Sequence, residues 1–200
     1  NRAVRHLEKG RVVVFGCGTI GIAAAVAFKY FGMDKVMVCD HSDFRLKLAA
    51  GLGFETCNTA TESFEAHAGS YFGTALSLCG EAPNIDCWLD AAGGEAILAD
   101  FLRCGKIESR FVSVAVNNAP RTIDLLHMTY AQQSILGSGG YMPEDVWDVQ
   151  NIMRCGKWNL ESVITHEFSL CDLEQAIRTA SDVEHAGNVV IKMAENQSVS

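Results

Sequence analysis

Three glycines near the start of the chain are the residues whose spacing most clearly predicts chemistry. Gly16, Gly18 and Gly21 follow the apolar run VVVF and give the pattern G-x-G-x-x-G. In this pattern the first glycine permits a tight turn, the second lets a pyrophosphate approach the backbone, and the third lets a helix pack closely on a strand. The free amides and the positive dipole end of the following helix would face the phosphates. The sequence therefore predicts a dinucleotide site.

An acidic residue at the expected distance strengthens this prediction. Asp40 stands 19 residues after Gly21, and an acid about 20 residues beyond the motif hydrogen-bonds the adenosine ribose hydroxyls. The carboxylate favours NAD over NADP, because a 2′-phosphate about 4 Å away would cost about 4 kcal/mol at an effective dielectric constant of about 20. Arg45 could instead meet a phosphate, so the choice of cofactor stays open. The alternative is a turn whose glycines serve packing alone, which would not require Asp40.

No pattern for catalysis or metal binding accompanies this motif. The candidate histidines are His41, His67, His127, His166 and His185. They lack partners at a ligand spacing such as H-E-x-x-H, and no G-x-S-x-G sequence supports a serine nucleophile, although a Ser-His-Asp arrangement stays open. His41 is expected beside the adenosine end because it follows Asp40, and the others are expected to be structural or at the surface. We therefore assign no catalytic residue and no metal ligand to this chain.

The eight cysteines are scattered along the chain without a C-x-x-C pair. This placement disfavours zinc ribbons and fingers, and it favours reduced, buried thiols in a reducing cytoplasm. Cys17 lies in the glycine turn at a helix start, where a thiolate would be stabilised. We expect its backbone to matter more than its thiol.

Composition excludes several other classes of function. The 200 residues are 48% hydrophobic and 20% charged, as in an ordinary globular protein. A net charge of −8 without a Lys/Arg cluster disfavours a nucleic-acid partner. The longest apolar block, Ile20 to Phe28, is shorter than the roughly 20 residues that span a bilayer. Asn1 to Gly10 is too charged for a cleavable signal.

The elements that position the glycines alternate between strand and helix. Six apolar runs predict strands, over Val12–Phe15, Lys35–Cys39, Phe54–Cys57, Ile85–Asp90, Phe111–Val116 and Ser134–Gly137. Helices are predicted over Arg2–Lys9, Thr19–Phe31, Ser42–Gly51, near Phe64 and Ala75, and over Ala96–Cys104, Leu125–Tyr130 and Pro143–Gly156. This alternation predicts an α/β fold of the Rossmann type, with a doubly wound six-stranded parallel sheet and a ligand crevice at the carboxyl ends of the strands.

The tail of the chain has a different organisation. It contains predicted strands at Val163–Phe168 and Asn188–Met193, with a helix at Leu173–Ala180 that Asp172 would cap. These strands have no obvious place in the six-stranded sheet. We therefore divide the chain into an NAD-binding domain at 1–158 and a segment at 159–200 that would belong to a second domain.

Taken together, these stretches resemble the zinc-dependent medium-chain alcohol and polyol dehydrogenases, specifically their cofactor-binding half. The matching segments cover nearly the whole chain, and they are VVVFGCGTIG, VCDHSDFRLKLAAGLGF, DCWLDAAGG, FVSVAV, ILGSGGY, VITHEFSLCDLEQAIRTA and GNVVIKM. One departure is Ala115, where the family often has glycine. The resemblance implies contacts with NAD at Gly16, Gly18, Thr19, Ile20, Gly21, Asp40, Arg45, Ala91, Ala92, Val114, Val116 and Gly139. Ala91 and Ala92 would lie beside the adenosine-side ribose, and the last three residues near the nicotinamide carboxamide.

The resemblance also implies where the catalytic residues lie. In that family the catalytic zinc and its ligands come from an N-terminal domain, to which the tail returns. We therefore expect an excised cofactor domain, inactive alone, of a homo-oligomeric enzyme that oxidises a secondary alcohol or polyol with NAD. Two alternatives stay open: a stand-alone NAD(H)-sensing module without catalysis, and a zinc-free NADPH quinone or enone reductase of the same superfamily.

Overall fold

The computed structural model describes residues 9–193, which form ten strands and seven α-helices. The strands are β1 (Arg11–Phe15), β2 (Lys35–Asp40), β3 (Glu55–Asn58), β4 (Thr74–Ser77), β5 (Gly80–Pro83), β6 (Cys87–Asp90), β7 (Arg110–Ser113), β8 (Ser134–Gly137), β9 (Ile164–Ser169) and β10 (Asn188–Lys192). The helices are α1 (Thr19–Tyr30), α2 (Asp43–Gly51), α3 (Phe64–Phe72), α4 (Glu95–Cys104), α5 (Leu125–Ala131), α6 (Pro143–Arg154) and α7 (Leu173–Ala180). None of these helices has the length and hydrophobicity needed to cross a bilayer. The helix predicted over Arg2–Lys9 lies outside the described residues, apart from Lys9.

Six of the strands form one parallel sheet in the order β3-β2-β1-β6-β7-β8. Val14 of β1 lies beside Val38 of β2 on one side and Leu89 of β6 on the other. The direction of winding reverses between β1 and β6, and the crevice at this switch point is where such sheets bind ligands. The predicted Rossmann-type, doubly wound six-stranded sheet is therefore confirmed.

Strand β1 is apolar throughout its centre because helices cover both faces of the sheet. Val12 and Val14 pack in the core that includes residues of α1, α2 and α6, whereas Val13 and Phe15 pack in the core that includes residues of α3 and α4. The three valines have no exposed surface. Burying each of these side chains contributes about 1.5–3 kcal/mol, so the strand beneath the glycine turn is firmly held.

Local signals set the ends of several helices as the sequence indicated. Ser42 is the N-cap of α2, and its hydroxyl accepts a hydrogen bond from the Arg45 amide at 3.3 Å. Pro143 is the first residue of α6, where its missing N–H costs nothing. Gly53, with a φ of 87°, turns the chain after α2.

Three local predictions were wrong or incomplete. Residues around Ala75 form an antiparallel hairpin of β4 and β5 instead of a helical patch, because Gly73 ends α3 at a φ of 81° and Gly80 turns the chain at 114°. Strand β7 ends at Ser113 instead of Val116, because the next two amides both donate to the Asp90 carbonyl and the chain leaves the ladder. Asp172 precedes α7 without capping it, since its carboxylate accepts from the Ser169 hydroxyl.

The tail forms a small sheet of its own. Strands β9 and β10 are parallel and, within residues 9–193, pair only with each other. The tail nevertheless contacts α2: the Arg45 Nε donates to the Ala186 carbonyl at 3.1 Å, and a Cβ on Gly187 would lie 3.0 Å from the Leu48 side chain. The tail strands are thus separate from the main sheet but packed against its helical layer.

Candidate functional site

The loop after β1 and the first turn of α1 contain three glycines that differ in their surroundings. Gly16 has a φ of 98°, which favours glycine, and a Cβ there would lie 3.0 Å from the backbone of the loop after β6. A Cβ on Gly21 would lie 1.7 Å from the Gly16 carbonyl oxygen. A Cβ on Gly18, in contrast, would meet no atom of the described residues within 4 Å. The fold therefore requires the first and third glycines, whereas the second leaves open space.

Helix α1 presents its amino terminus to that space. Gly18 is the N-cap and makes no side-chain hydrogen bond, and the first turn contains no acidic residue. Thr19 and Ile20 are exposed there. Amides in the first turn of a helix lack intrahelical partners and carry the positive end of the helix dipole. This arrangement suits an anion such as a phosphate.

Asp40 ends β2 beside the glycine turn. Its Oδ2 accepts a hydrogen bond from the Cys17 amide at 2.6 Å, and its Oδ1 accepts from the amides of His41 and Ser42 at 2.8 and 2.9 Å. The residue is partly exposed. Because an ionised carboxylate offers about four acceptor positions, these three bonds fix its orientation and still leave capacity for a ligand hydroxyl.

A cleft of about 470 Å³ opens at the carboxyl ends of β1, β2 and β6. Its apolar wall includes Phe15, Phe64 and Ile97. Its acidic side chains are Asp40, Glu62, Glu95 and Asp100, and none of the described residues that line it is a lysine or arginine. A flat, apolar group carrying hydroxyls would match this lining, whereas an additional phosphate beside Asp40 would meet a like charge.

Cys17 has a protonated, buried thiol. Its side chain is 1% exposed, and its Sγ donates to the Arg45 carbonyl at 3.0 Å. Burial, with Asp40 nearby, raises the pKa of Cys17 to about 12. A thiolate is therefore not available at neutral pH, and the contribution of this residue to the site is its backbone amide.

Arg45 lies in the first turn of α2 and connects that helix to the tail. Its Nε donates to the carbonyl of Ala186, which is 141 residues away. The positive charge of its guanidinium lowers the pKa of Cys17, although burial and Asp40 raise that pKa more. The resemblance implies a contact between Arg45 and NAD, and in the structure the Nε of this side chain is bonded to the tail.

The loop after β6 is tied to the glycine turn. The Ala91 amide donates to the Phe15 carbonyl at 2.8 Å, and the Ala92 amide donates to Oδ1 of Asp90 at 2.9 Å. Asp90 is buried and also accepts from the Gly93 amide at 2.7 Å. The two alanines therefore lie directly across from Gly16, at the switch point of the sheet.

The remaining predicted contact residues lie farther along the same edge of the sheet. Val114 follows β7 and packs partly against the apolar core, whereas Val116 is 95% exposed. Gly139 is exposed in the loop after β8. An extended ligand that began at Asp40 and crossed the glycine turn would reach these loops next.

His67 is surrounded by groups that sequence reasoning did not connect. Its Nε2 lies 2.8 Å from Glu55 Oε1, and its Nδ1 lies 2.8 Å from Glu62 Oε2. The hydrogen bond to Glu55, followed by that to Glu62, raises the pKa of His67. Ligand atoms of Cys57, Glu62 and His67 all lie within 4.8 Å of one another. The three residues come from β3, the loop after it and α3. Their spacing in the sequence matches none of the metal-binding motifs considered above.

The other candidate histidines occupy separate places. His41 lines the cleft next to Asp40. His166 hydrogen-bonds Thr165 and stacks on Phe168. His185 pairs with Asp182 at 2.9 Å.

Comparison with known proteins establishes the family. A family model described as zinc-binding dehydrogenase matches residues 19–154, from the start of α1 to the end of α6. This chain belongs to the zinc-binding dehydrogenase family. This match confirms the family that the sequence segments indicated. It covers the part of the chain that was predicted to be the cofactor-binding half.

Individual dehydrogenases are also similar to this chain. L-threonine 3-dehydrogenase of Bacillus velezensis is 28% identical over 172 residues, which are 85% of this chain and 48% of that protein. Sorbitol dehydrogenase 1 of Saccharomyces cerevisiae is 24% identical over 181 residues, covering 90% of this chain and 50% of that protein. An E. coli CFT073 alcohol dehydrogenase complexed with NADH superposes with a TM-score of 0.78 at 21% identity, over 95% of this chain and 55% of that chain. The chain spans about half the length of the curated relatives it matches.

Proposed function

We propose that this chain is the NAD-binding part of a zinc-dependent alcohol or polyol dehydrogenase, which transfers a hydride from a secondary alcohol to NAD. The observation that supports this most is the open space at Gly18, at the amino end of α1 and one residue from the amide that binds Asp40. A pyrophosphate requires bare main chain at this point, and a side chain on Gly18 would fill the place it needs.

The residues that would hold NAD follow the carboxyl edge of the sheet. They are Gly16, Gly18, Thr19, Ile20, Gly21, Asp40, Arg45, Ala91, Ala92, Val114, Val116 and Gly139. The first-turn amides of α1 would bind the phosphates, and Asp40 would accept hydrogen bonds from the ribose. Arg45, whose Nε is bonded to the tail, would contact NAD as the resemblance implies. NAD, when bound, supplies the carbon that accepts the hydride.

The acidic lining of the cleft supports NAD as the cofactor. Asp40 and Glu62 both line the pocket that would receive the adenosine, and no described lining residue is positively charged. A 2′-phosphate would be repelled by the Asp40 carboxylate, whereas the Glu62 carboxylate is already paired with His67. This charge distribution also disfavours the alternative of an NADPH-dependent quinone or enone reductase.

In this proposal, the catalytic zinc and its ligands belong to a domain outside this chain. The division proposed from the sequence, an NAD-binding domain at 1–158 and a returning segment at 159–200, is supported by the separate pairing of β9 with β10. The proteins matched at the sequence level are about twice as long as the segment this chain covers. The alcohol or polyol substrate would lie between the nicotinamide end of the cleft and that further domain.

The proposal includes a homo-oligomeric assembly and a cytoplasmic location. Large apolar side chains on α5 and α6, including Leu125, Tyr130 and Trp147, are more than 60% exposed, which supports assembly into a homo-oligomer. All eight cysteines are free, which supports function in a reducing cytoplasm.

Calorimetric titration with NADH and NADPH tests the proposed cofactor site. We expect NADH to bind more tightly than NADPH, and Gly18→Val to weaken NADH binding by at least about tenfold without lowering the midpoint of thermal unfolding. Gly51→Val is the matched control, because a Cβ there also meets no atom of the described residues within 4 Å but lies at the end of α2. Wild-type protein that binds neither nucleotide, or a Gly18→Val variant that binds NADH normally, would contradict the proposal.

A further inference from the structure

Three side chains beside the cofactor cleft form a compact group of different donor types. They are Cys57 in β3, Glu62 in the following loop and His67 in α3. Their ligand atoms, the Sγ, a carboxylate oxygen and an imidazole nitrogen, all lie within 4.8 Å of one another. Cys57 is fully buried, whereas 45% of the Glu62 side chain and 24% of the His67 side chain are exposed. An ion could therefore enter from the solvent side.

Sulfur, nitrogen and oxygen donors together form the ligand set that Zn²⁺ accepts. Zinc takes thiolate, imidazole and carboxylate ligands in tetrahedral geometry, and three protein ligands leave the fourth position to water. Harder cations such as Mg²⁺ and Ca²⁺ require oxygen ligands and would not use the thiol. We propose that Cys57, Glu62 and His67 bind a Zn²⁺-type ion through Sγ, a carboxylate oxygen and Nδ1.

Each proposed ligand already has a partner that holds it in place. The His67 Nε2 faces Glu55 at 2.8 Å, and this bond would fix the tautomer that leaves Nδ1 free to bind the metal. Glu62 Oε1 accepts from the Asn58 amide at 3.1 Å, and its other oxygen faces Nδ1. Cys39 lies beside Cys57 in the register of the paired strands β2 and β3. Such outer partners are typical of metal sites, where they orient the ligands.

This site is distinct from the zinc-dependent chemistry assigned to residues outside the chain. It lies on the adenosine side, because Cys39 and Glu62 also line the cleft beside Asp40. It also departs from the expectation that these cysteines hold no metal, which followed from their scattered positions in the sequence. The three ligands lie within residues 57–67, and the return of the chain from β3 into α3 brings them together.

The competing explanation is that His67 only bridges two carboxylates. A protonated His67 between Glu55 and Glu62 would satisfy both hydrogen bonds without any ion. That arrangement makes no use of the thiol. Involvement of Cys57 in binding is therefore the observation that separates the two explanations.

Titration with Co²⁺, followed by displacement with Zn²⁺, tests the proposal on protein treated with a chelator and a reductant. Thiolate-bound Co²⁺ absorbs in the near ultraviolet, so we expect this band to saturate at one ion per chain and to disappear when Zn²⁺ is added. Cys57→Ser should abolish the band. His67→Gln and Glu62→Gln should weaken Co²⁺ binding by roughly tenfold or more.

Matched controls assign the band to this group. Cys79→Ser removes an exposed cysteine, and His185→Gln removes an exposed histidine that pairs with Asp182; both should bind Co²⁺ as the wild type does. Thermal unfolding checks each variant, and if Cys57→Ser does not fold, the paired result of His67→Gln and His185→Gln decides. Absence of the band, its persistence in Cys57→Ser, or equal weakening in the controls would overturn the proposal.

Discussion

The backbone amide of Cys17 donates a hydrogen bond to the carboxylate of Asp40 at 2.6 Å, and the two residues are 23 positions apart in the sequence. This bond joins the glycine turn after β1 to the end of β2. The acid proposed to hold the ribose therefore also fixes the loop proposed to hold the phosphates. The two parts of the site form one unit, and a change at either one should alter the other.

Replacing Asp40 should reduce the preference for NADH. The Asp40→Ser variant loses the negative charge that would repel a 2′-phosphate and the acceptor for the ribose hydroxyls. We expect NADH binding to weaken by at least about tenfold and the NADH-to-NADPH affinity ratio to fall, as measured by calorimetry. Asp34→Ser, at an exposed position before β2, serves as the control. An unchanged ratio in Asp40→Ser would show that Asp40 does not contact the ribose.

A methyl group at Gly21 should destabilise the fold itself. Its Cβ would lie 1.7 Å from the Gly16 carbonyl oxygen, so helix α1 and the turn would have to move apart. Overpacking of this kind costs about 1–3 kcal/mol or more, and urea unfolding of Gly21→Ala measures it. Gly69→Ala, at a helical position without neighbours within 4 Å among the described residues, should lose no stability. Equal midpoints for the two variants would contradict the proposed packing role.

Cys17 should resist alkylation at neutral pH. Its pKa is raised to about 12 by burial, so at pH 8 roughly one thiol in ten thousand is a thiolate. Since the thiolate reacts, labelling should increase only as the pH rises toward that value. Mass spectrometry after iodoacetamide treatment should show modification first at the exposed Cys79, Cys155 and Cys171. Labelling of Cys17 at a rate like theirs would mean that its thiol is accessible.

Removing the guanidinium of Arg45 should loosen the tail. The Arg45→Met variant loses the hydrogen bond to the Ala186 carbonyl, and a bond from a charged group contributes about 1.5–3 kcal/mol. We expect limited proteolysis to cut β9, α7 or β10 faster, with little change in the unfolding of the main sheet. Lys47→Met, at an exposed position of α2, should behave as the wild type does. Identical cleavage rates would show that the tail is held by its other contacts.

The main sheet could be predicted because its signals are local. Short apolar runs mark the strands, and Ser42, Gly53 and Pro143 mark helix boundaries through their own backbone and side-chain chemistry. The hairpin of β4 and β5 could not be predicted in this way. Its four-residue strands, TALS and GEAP, are too short and too mixed to show a strand pattern. The bond from the Ile107 amide to the Leu76 carbonyl at 3.0 Å comes from a distant part of the sequence.

The candidate site likewise contains residues that could be predicted from the sequence and residues that could not. The glycine turn and Asp40 follow a fixed spacing, so they could be named from the sequence, and the structure places them together. The group of Cys57, Glu62 and His67 matches none of the motif spacings used above, and it forms where the chain turns from β3 into α3. The bond from Arg45 to Ala186 spans 141 residues, which is beyond any local pattern.

The amino end of α1 would contact phosphates through peptide N–H groups, since Gly18 contributes no side chain to the cap. Peptide groups neither gain nor lose protons in the physiological range, unlike a histidine that would change its charge between about pH 5 and 8. Under the proposed function, binding of the cofactor phosphates by these amides would therefore not change with intracellular pH.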